Sequence, residues 1–185
     1  MDRSRFYTGR GDDGSTGLLG PERVPKYDLR PETYGTVDEA QAAMGLARAG
    51  GCTPRTGAVL LAVQRTLYTL MAEVAAAGQA GSPFAGAMTA AHVEELEGWL
   101  AEFGQAVEMP KEFVVPGGST PGAALHLART VVRRAERRAA RLAADGLLEN
   151  EQLVRYLNRL SSLLYVLALY EDQAAGRDLT LARET

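Results

Sequence analysis

The apolar residues of this chain recur every three to four positions in long segments, and this spacing most restricts the folds open to it. A period near 3.6 residues places apolar side chains on one face of an α-helix. Stretches rich in glycine and proline separate the segments, and a two-residue strand pattern is almost absent. The predicted helices are residues 32–49, 54–77, 89–106, 120–144 (with Ser119 or Thr120 as the N-cap) and 149–174.

Amphipathic helices joined by short connections predict an all-α fold, a five-helix bundle with an N-terminal glycine-rich loop. Residues 1–30 show little helical periodicity and are predicted to form an ordered loop. Residues 31–174 would form the bundle, and residues 175–185 a loose polar tail. Because no repeat or break in composition divides the chain, residues 1–185 are predicted to form a single domain.

Charge and cysteine content disfavour several classes of protein. The formal net charge is −3, whereas a nucleic-acid partner calls for a broad basic face. Cys52 is the only cysteine, so an intrachain disulfide and a cysteine-based zinc site are excluded. The longest apolar run, 163–170, is too short to span a bilayer, and the first residues lack the apolar core of a secretion signal. We therefore expect a soluble, cytoplasmic protein with neither membrane nor nucleic acid as a partner.

The glycine-rich segment Tyr7–Gly17 is a candidate phosphate-binding loop. It contains the spacing G-x-G-x-x-G, but the βαβ unit of a dinucleotide-binding fold is missing around it. A Walker P-loop is also disfavoured, because Ser15 stands where its lysine should be. Glycines still allow backbone N–H groups to enclose an anion, and Arg10 and Lys26 add positive charge nearby. The alternative is an ordinary turn-rich arm.

The predicted fourth helix carries arginines beside its apolar face. Arg129, Arg133 and Arg137 follow at intervals of four residues and share one side of the helix, which we call the first arginine row. Like charges in a row repel unless an anion lies between them, and guanidinium groups suit phosphate oxygens. The row therefore indicates a polyanion site or, alternatively, an ordinary basic face exposed to solvent. A second arginine row consists of Arg134, Arg138 and Arg141.

Three further polar residues are assigned structural roles. Asn158, in the last helix, is expected to make a core hydrogen bond or, less often, to contact a ligand. His126 is predicted to be a packed and hydrogen-bonded residue. His92 is far from it in the sequence, so a histidine-based metal site or catalytic triad has little support.

Four blocks of the sequence together resemble the trimeric ATP:cob(I)alamin (corrinoid) adenosyltransferases of the propanediol-utilisation type. The blocks are residues 7–16, residues 23–39, residues 113–118, and residues 124–137 with 156–161. The resemblance implies an enzyme that moves the adenosyl group of ATP onto Co(I) of a corrinoid and releases triphosphate. It also implies five-helix subunits that assemble as a homotrimer, with ATP bound at each interface. A B12-dependent enzyme that receives the product would be a further partner.

The resemblance also assigns residues to each substrate. The nucleotide site would comprise Thr8, Gly9, Arg10, Gly11, Thr16, Gly17, Lys26, Arg133, Arg134, Ala135, Glu136, Arg137 and Asn158. Asp38 would pair with Arg129 across the interface, and Phe113 would cover the lower face of the cobalt. The catalytic residues would thus be Arg129, Arg133, Asp38 and Phe113. Mg²⁺ would accompany the ATP phosphates, with no protein ligand.

The chain departs from the family pattern at a few positions. Ser162 stands where an aspartate is expected, and Tyr27 replaces an acidic residue. Gly9, Thr69 and Met71 are also unusual. The alternative function is therefore a catalytically quiet relative that binds ATP or adenosylcobalamin for storage, delivery or sensing. A bundle that only mediates protein contacts would leave the glycine loop and the arginine rows unexplained.

Overall fold

A computed structural model describes residues 7–79 and 81–183. These residues form five α-helices and one small antiparallel sheet, so the predicted all-α five-helix bundle is confirmed. The strands are β1 (Ser15–Gly17) and β2 (Arg23–Pro25), and the helices are α1 (Leu29–Ala49), α2 (Pro54–Ala75), α3 (Ala90–Gln105), α4 (Thr120–Ala144) and α5 (Gln152–Ala174).

Local capping residues determine where the helices begin. The side chains of Asp28, Thr53 and Ser119 accept hydrogen bonds from backbone N–H groups in the first turns of α1, α2 and α4. Proline also occupies the first turn of α2 and α4, where its missing N–H costs nothing. Of the two N-caps considered for α4, the structure therefore selects Ser119. The cap at Asp28 starts α1 at Leu29, earlier than the apolar pattern indicated.

The core lies between α4 and its neighbours α1 and α5, with α2 packed on α1 and α3 on α5. The predicted apolar stripe of α4 is fully buried: Leu125, Ala128, Val132, Ala135, Ala139 and Leu142. The arginine rows are additional to this stripe and lie outside the core. Among the described helices, only α2 has the length and composition of a membrane-crossing helix. Its predicted stripe packs in the bundle core: Val59, Val63, Leu67, Leu70 and Val74.

Two consecutive carboxylates near the end of α5 hold the starts of two other helices. Glu171 accepts hydrogen bonds from the backbone N–H of Thr53 at 3.0 Å and from its hydroxyl at 2.7 Å. Asp172 accepts a hydrogen bond from the hydroxyl of Ser119 at 2.6 Å. Both carboxylates are buried at a helix N-terminus, where the helix dipole favours negative charge. The Asp172 contact holds the start of α4, the helix that carries the arginine rows.

A methyl group at Gly122 would collide with this arrangement. A Cβ atom built there lies 2.8 Å from Cγ of Asp172 and 2.9 Å from Oγ of Ser119. We expect Gly122→Ala to lower the free energy of unfolding by about 2 kcal/mol, because a buried hydrogen-bonded carboxylate must move. The matched control is Gly98→Ala in α3, where the added methyl meets no atom within 4 Å. Urea denaturation of both variants checks this expectation, and equal losses of stability would contradict it.

Candidate functional site

The N-terminal arm contains regular structure that the sequence pattern did not predict. Its centre is the β1–β2 hairpin, and the backbone N–H of Lys26 donates to the carbonyl of Gly14 at 2.9 Å. Arg23 braces the turn by donating to the carbonyl of Arg10 at 2.8 Å. The predicted loop of residues 1–30 is therefore partly a hairpin, and residues 1–6 of it lie outside the described residues. Strands of only three residues are too short to show a clear alternation.

Lys26 lies against the glycine turn of this arm. A Cβ atom at Gly11 would lie 3.3 Å from Nζ of Lys26, so the glycine leaves room for the ammonium group. Gly9 and Gly14 have φ angles of 67° and 82°, a region that favours glycine. The backbone N–H and the hydroxyl of Ser15 donate hydrogen bonds to the carboxylate of Asp13. These bonds, together with the charge of Arg23, lower the pKa of Asp13. Contacts within the arm thus place the ammonium group of Lys26 beside an exposed glycine turn.

The arm is anchored at one end of the bundle. The backbone N–H of Leu19 donates to the carbonyl of Ala75, the last residue of α2, at 3.3 Å. The buried Arg30 pairs with Asp28 at 3.0 Å and with Glu22 at 3.2 Å. Hydrogen bonds from the Arg30 guanidinium lower the pKa of Asp28. The predicted nucleotide-binding residues Thr8, Gly9, Arg10 and Gly17 lie on the exposed side of this arm, with Gly11 and Thr16 partly covered.

The two arginine rows of α4 differ in their partners. The second row is neutralised within the chain, because Arg134 pairs with Glu39, Arg138 with Glu32, and Arg141 with Asp145. In the first row, Arg137 donates to the backbone carbonyl of Arg133 at 3.0 Å. Within residues 7–79 and 81–183, no carboxylate pairs with the first row: Arg129, Arg133 and Arg137. That row is therefore the one with charge available to an anion.

Not all residues of the predicted nucleotide block on α4 are equally accessible. Arg134 is committed to Glu39 on α1. Ala135 is fully buried in the core, so its side chain offers no surface to a ligand in the single chain. Glu136 accepts a hydrogen bond at 2.8 Å from the side-chain amide of Asn158. Asn158 is exposed beside the first arginine row, and the expectation of a core hydrogen bond is wrong.

A cavity of about 700 Å³ lies beside the first arginine row, between α4, α5 and the connection from α3 to α4. Its lining combines Arg129 and Arg133 with Phe113, whose side chain is 86% exposed. Ser162 and Tyr165 supply the α5 side. An exposed aromatic ring and unpaired cations at one cavity are typical of a site for a large ligand with apolar and anionic parts.

The C-terminal tail is ordered against the segment that carries Phe113. The backbone N–H of Ala182 donates to the carbonyl of Phe113 at 2.7 Å, and that of Val115 donates to the carbonyl of Thr180 at 2.8 Å. Val114 and Leu181 form the bridge between these two contacts. The prediction of a loose tail is therefore wrong for residues 180–182. The Phe113 segment is supported by main-chain hydrogen bonds with the tail, which the polar side chains of the tail did not predict.

His126 is buried in the wall of the same cavity. Its side chain packs edge-on against Tyr165, with 5.9 Å between the ring centroids. The residue is only 3% exposed, and neither ring nitrogen has a hydrogen-bond partner among the described residues. The predicted packing role is confirmed, whereas the predicted hydrogen bonding is wrong. Burial, together with the positive charge of Arg129, lowers the pKa of His126 and thus favours the neutral imidazole.

His92 and His126 have separate structural settings. His92 accepts a hydrogen bond from the backbone N–H of Thr89 at 3.1 Å and caps α3. In the part of the chain that the structure describes, no group of three His, Cys, Asp or Glu residues is placed to hold a metal ion.

Within one chain, the two halves of the predicted nucleotide site are not joined. No hydrogen bond or ion pair between described residues connects the arm at residues 7–26 with the first arginine row. Asp38 is exposed on α1 and forms no ion pair with any described residue. Nε of Arg129 is buried and has no hydrogen-bond partner within residues 7–79 and 81–183. The structure thus brings together Phe113, Arg129 and Arg133, and it leaves the glycine arm and Asp38 apart from them.

A helical bundle with a basic row beside an aromatic cavity is the arrangement expected of a protein that binds a polyanion and a large ligand at one site. Residues 6–171 match the model of the cobalamin adenosyltransferase family. The chain is 40% identical over 174 residues to a cobalamin adenosyltransferase of Cupriavidus metallidurans, covering 94% of this chain and 91% of that protein. The chain therefore belongs to the cobalamin adenosyltransferase family.

Further relatives show the same relationship. The chain is 37% identical to the corrinoid adenosyltransferase PduO of Salmonella typhimurium, covering 92% of this chain and 50% of that longer protein. A solved variant of the PduO-type ATP:corrinoid adenosyltransferase from Lactobacillus reuteri, complexed with cobalamin and ATP, superposes with a TM-score of 0.88. It is 29% identical, and the match covers 96% of this chain and 99% of that one.

Proposed function

We propose that this protein transfers the 5′-deoxyadenosyl group of ATP to Co(I) of cobalamin or a related corrinoid, giving adenosylcobalamin and triphosphate. The single observation that carries this proposal is the unpaired first arginine row at the Phe113 cavity, in a chain of the cobalamin adenosyltransferase family. ATP and the corrinoid are the two substrates. The single domain needed for this reaction comprises the arm, the bundle and the ordered part of the tail.

The arginines act on the leaving group of the reaction. The electron pair of Co(I) attacks the 5′ carbon of ATP, a cobalt–carbon bond forms, and the carbon–oxygen bond to the triphosphate breaks. Negative charge therefore grows on the departing triphosphate, where Arg129 and Arg133 stabilise it. No acid–base group is needed for this displacement. The buried His126, whose lowered pKa favours the neutral imidazole, is consistent with that chemistry. Holding the 5′ carbon in line with the cobalt would supply the rest of the rate acceleration.

Phe113 acts on the other substrate. Its exposed ring would occupy the lower face of the cobalt and exclude the dimethylbenzimidazole ligand. A four-coordinate Co(II) is easier to reduce to the nucleophilic Co(I). Pairing of the Phe113 segment with the C-terminal tail would hold the ring in place while the corrinoid is bound.

The nucleotide side would use the remaining predicted residues. The arm supplies Lys26 and its exposed backbone for the phosphates, whereas Glu136 and Asn158 lie next to the arginine row for the nucleoside. Mg²⁺ would bind through the phosphate oxygens of ATP, which suit this hard cation. The described residues offer no acidic cluster that would replace those oxygens.

The separation of the arm from the arginine row supports a site that is shared between subunits. We propose a homotrimer in which the arm of one subunit faces α4 of the next. Asp38 of one subunit would pair with Arg129 of its neighbour. Among the described residues, Asp38 has no ion pair and Nε of Arg129 has no hydrogen-bond acceptor, and this contact would satisfy both groups.

Mixing two inactive variants tests the shared site. Lys26→Ala disables the arm and Arg133→Ala disables α4, so each homotrimer should be inactive. Mixed trimers from co-expression should recover about one third of the wild-type turnover, because each has three interfaces and one of them combines an intact arm with an intact α4. Purification through two different affinity tags isolates the mixed trimers. No recovery in verified mixed trimers would mean that both residues act within one chain.

The first experiment for the function itself is an absorbance assay with cob(I)alamin, Mg²⁺ and ATP. Protein-dependent formation of light-sensitive adenosylcobalamin is the expected result. ATP binding by calorimetry without conversion would instead favour the catalytically quiet relative that stores, delivers or senses its ligand. Ser162, at the cavity wall in place of the expected aspartate, is the observation that favours this second candidate.

A cytoplasmic location and transfer of the product to a B12-dependent enzyme complete the proposal.

A further inference from the structure

A chain of polar contacts connects α3 with the proposed nucleotide residues. Nε of Arg159 donates to Oε1 of Glu97, on α3, at 2.9 Å. Nη1 of the same arginine donates to Oδ1 of Asn158 at 2.7 Å. Nδ2 of Asn158 then donates to Oε1 of Glu136 at 2.8 Å. One contiguous path thus runs from the carboxylate of Glu97 to that of Glu136.

The chemistry of its two neighbours determines the orientation of the Asn158 amide. A guanidinium group can only donate, so the amide oxygen must face Arg159. An ionised carboxylate can only accept, so the amide nitrogen must face Glu136. Rotating the amide by half a turn would oppose oxygen to carboxylate and nitrogen to guanidinium. Both hydrogen bonds would then be replaced by repulsion.

Glu97 in turn restricts Arg159. A free arginine side chain samples many rotamers and loses this freedom when it is held at a second point. The Nε contact with Glu97 leaves Nη1 directed at Asn158. We infer that Glu97 and Arg159 are positioning residues for adenosyl transfer, which hold Asn158 and Glu136 in their ATP-binding arrangement before the nucleotide arrives. This inference rests on the proposed function, because Asn158 and Glu136 belong to the proposed nucleotide site.

The pair contributes little to folding, which separates its proposed role from a structural one. The side chain of Glu97 is 43% exposed, and ion pairs at such positions stabilise a protein weakly. A second ion pair on α3 is closely comparable: Glu102, with a 51% exposed side chain, binds Arg55 of α2. Arg55 lies over the ring of Phe103, away from Asn158 and Glu136. Glu102 therefore provides a matched control on the same helix.

The test compares Glu97→Gln with Glu102→Gln in steady-state assays with cob(I)alamin and ATP. We expect Glu97→Gln to raise the KM for ATP about fivefold, the factor that one hydrogen bond of ordinary strength supplies. The KM for the corrinoid and the melting temperature should stay at wild-type values. Glu102→Gln should change none of the three quantities. An ATP KM that is equal in Glu97→Gln and Glu102→Gln would overturn the inference.

Two further variants examine the path itself. Arg159→Lys keeps the charge, but a single ammonium cannot hold both partners as the fork does, so the KM for ATP should rise as well. In a double-mutant cycle, Glu97→Gln should have no effect once Asn158 is replaced by alanine. Additive effects of these two substitutions would show that Glu97 does not act through Asn158.

Failure of the inference can be distinguished from failure of the proposed function. If the wild-type protein is active and Glu97→Gln has the wild-type KM for ATP, the positioning role is rejected and the proposed function stands. If the wild-type protein binds ATP without turnover, the transfer function fails, and calorimetry still compares ATP affinity between the two variants. If the wild-type protein does not bind ATP, both fail together.

Discussion

Replacing Phe113 by alanine should lower turnover of cob(II)alamin under reducing conditions on the order of a hundredfold, a loss typical of a misplaced reacting centre. ATP affinity should be unchanged. The ring is 86% exposed in the single chain, so its removal leaves no cavity in the core and should not affect folding. What it removes is the apolar surface that would keep a ligand away from the lower face of the cobalt.

The measurement is adenosylcobalamin formation from cob(II)alamin with a reductant, alongside calorimetric titration with ATP. Val115→Ala is the control, since Val115 is an exposed apolar residue of the same segment. It also keeps its main-chain hydrogen bond to Thr180 after the substitution. Turnover that stays at the wild-type level in Phe113→Ala would remove the role assigned to this ring.

Replacing Arg133 by alanine should reduce kcat by about 10²–10³-fold, the usual effect of deleting one donor that stabilises developing charge. Arg133 lines the cavity and forms no ion pair with the described residues, so its guanidinium is available to the departing triphosphate. Arg133→Lys should recover part of the rate, because an ammonium retains the charge but not the paired donors.

Arg141→Ala is the matched control for this prediction. Arg141 lies on the same helix and pairs with Asp145 at 2.9 Å on the surface. Its loss should leave kcat unchanged and cost little stability. Single-turnover kinetics at saturating ATP would separate the chemical step from binding. A kcat that is reduced equally in the Arg133 and Arg141 variants would indicate a general effect of charge on α4.

The helices of this protein could be predicted because the information that forms them is local. Caps such as Asp28 and Ser119 act on the turn that follows them, and apolar periodicity selects the buried face of α4. The family resemblance also depends on short local blocks, and the match over residues 6–171 agrees with it. The assignment of individual residues to ATP and the corrinoid remains a proposal.

Other features depended on contacts between distant parts of the chain. The tail lacks an apolar pattern, yet its backbone groups pair with the Phe113 segment. The second arginine row resembled the first in the sequence, until folding placed Glu32 and Glu39 of α1 against it. The neighbours of Asn158 could not be assigned before packing brought Glu136 of α4 to its amide and Glu97 of α3 to the adjacent Arg159.

By itself, the sequence determined the helices, the buried stripes and the family, because periodicity, caps and motifs act over a few residues. Only the tertiary structure decided which arginines keep their charge available, what supports Phe113 and how the Asn158 amide is oriented. Each of those outcomes is a pairing between groups that are far apart in the chain. Such pairings depend on how the helices pack and not on the residues that flank each group.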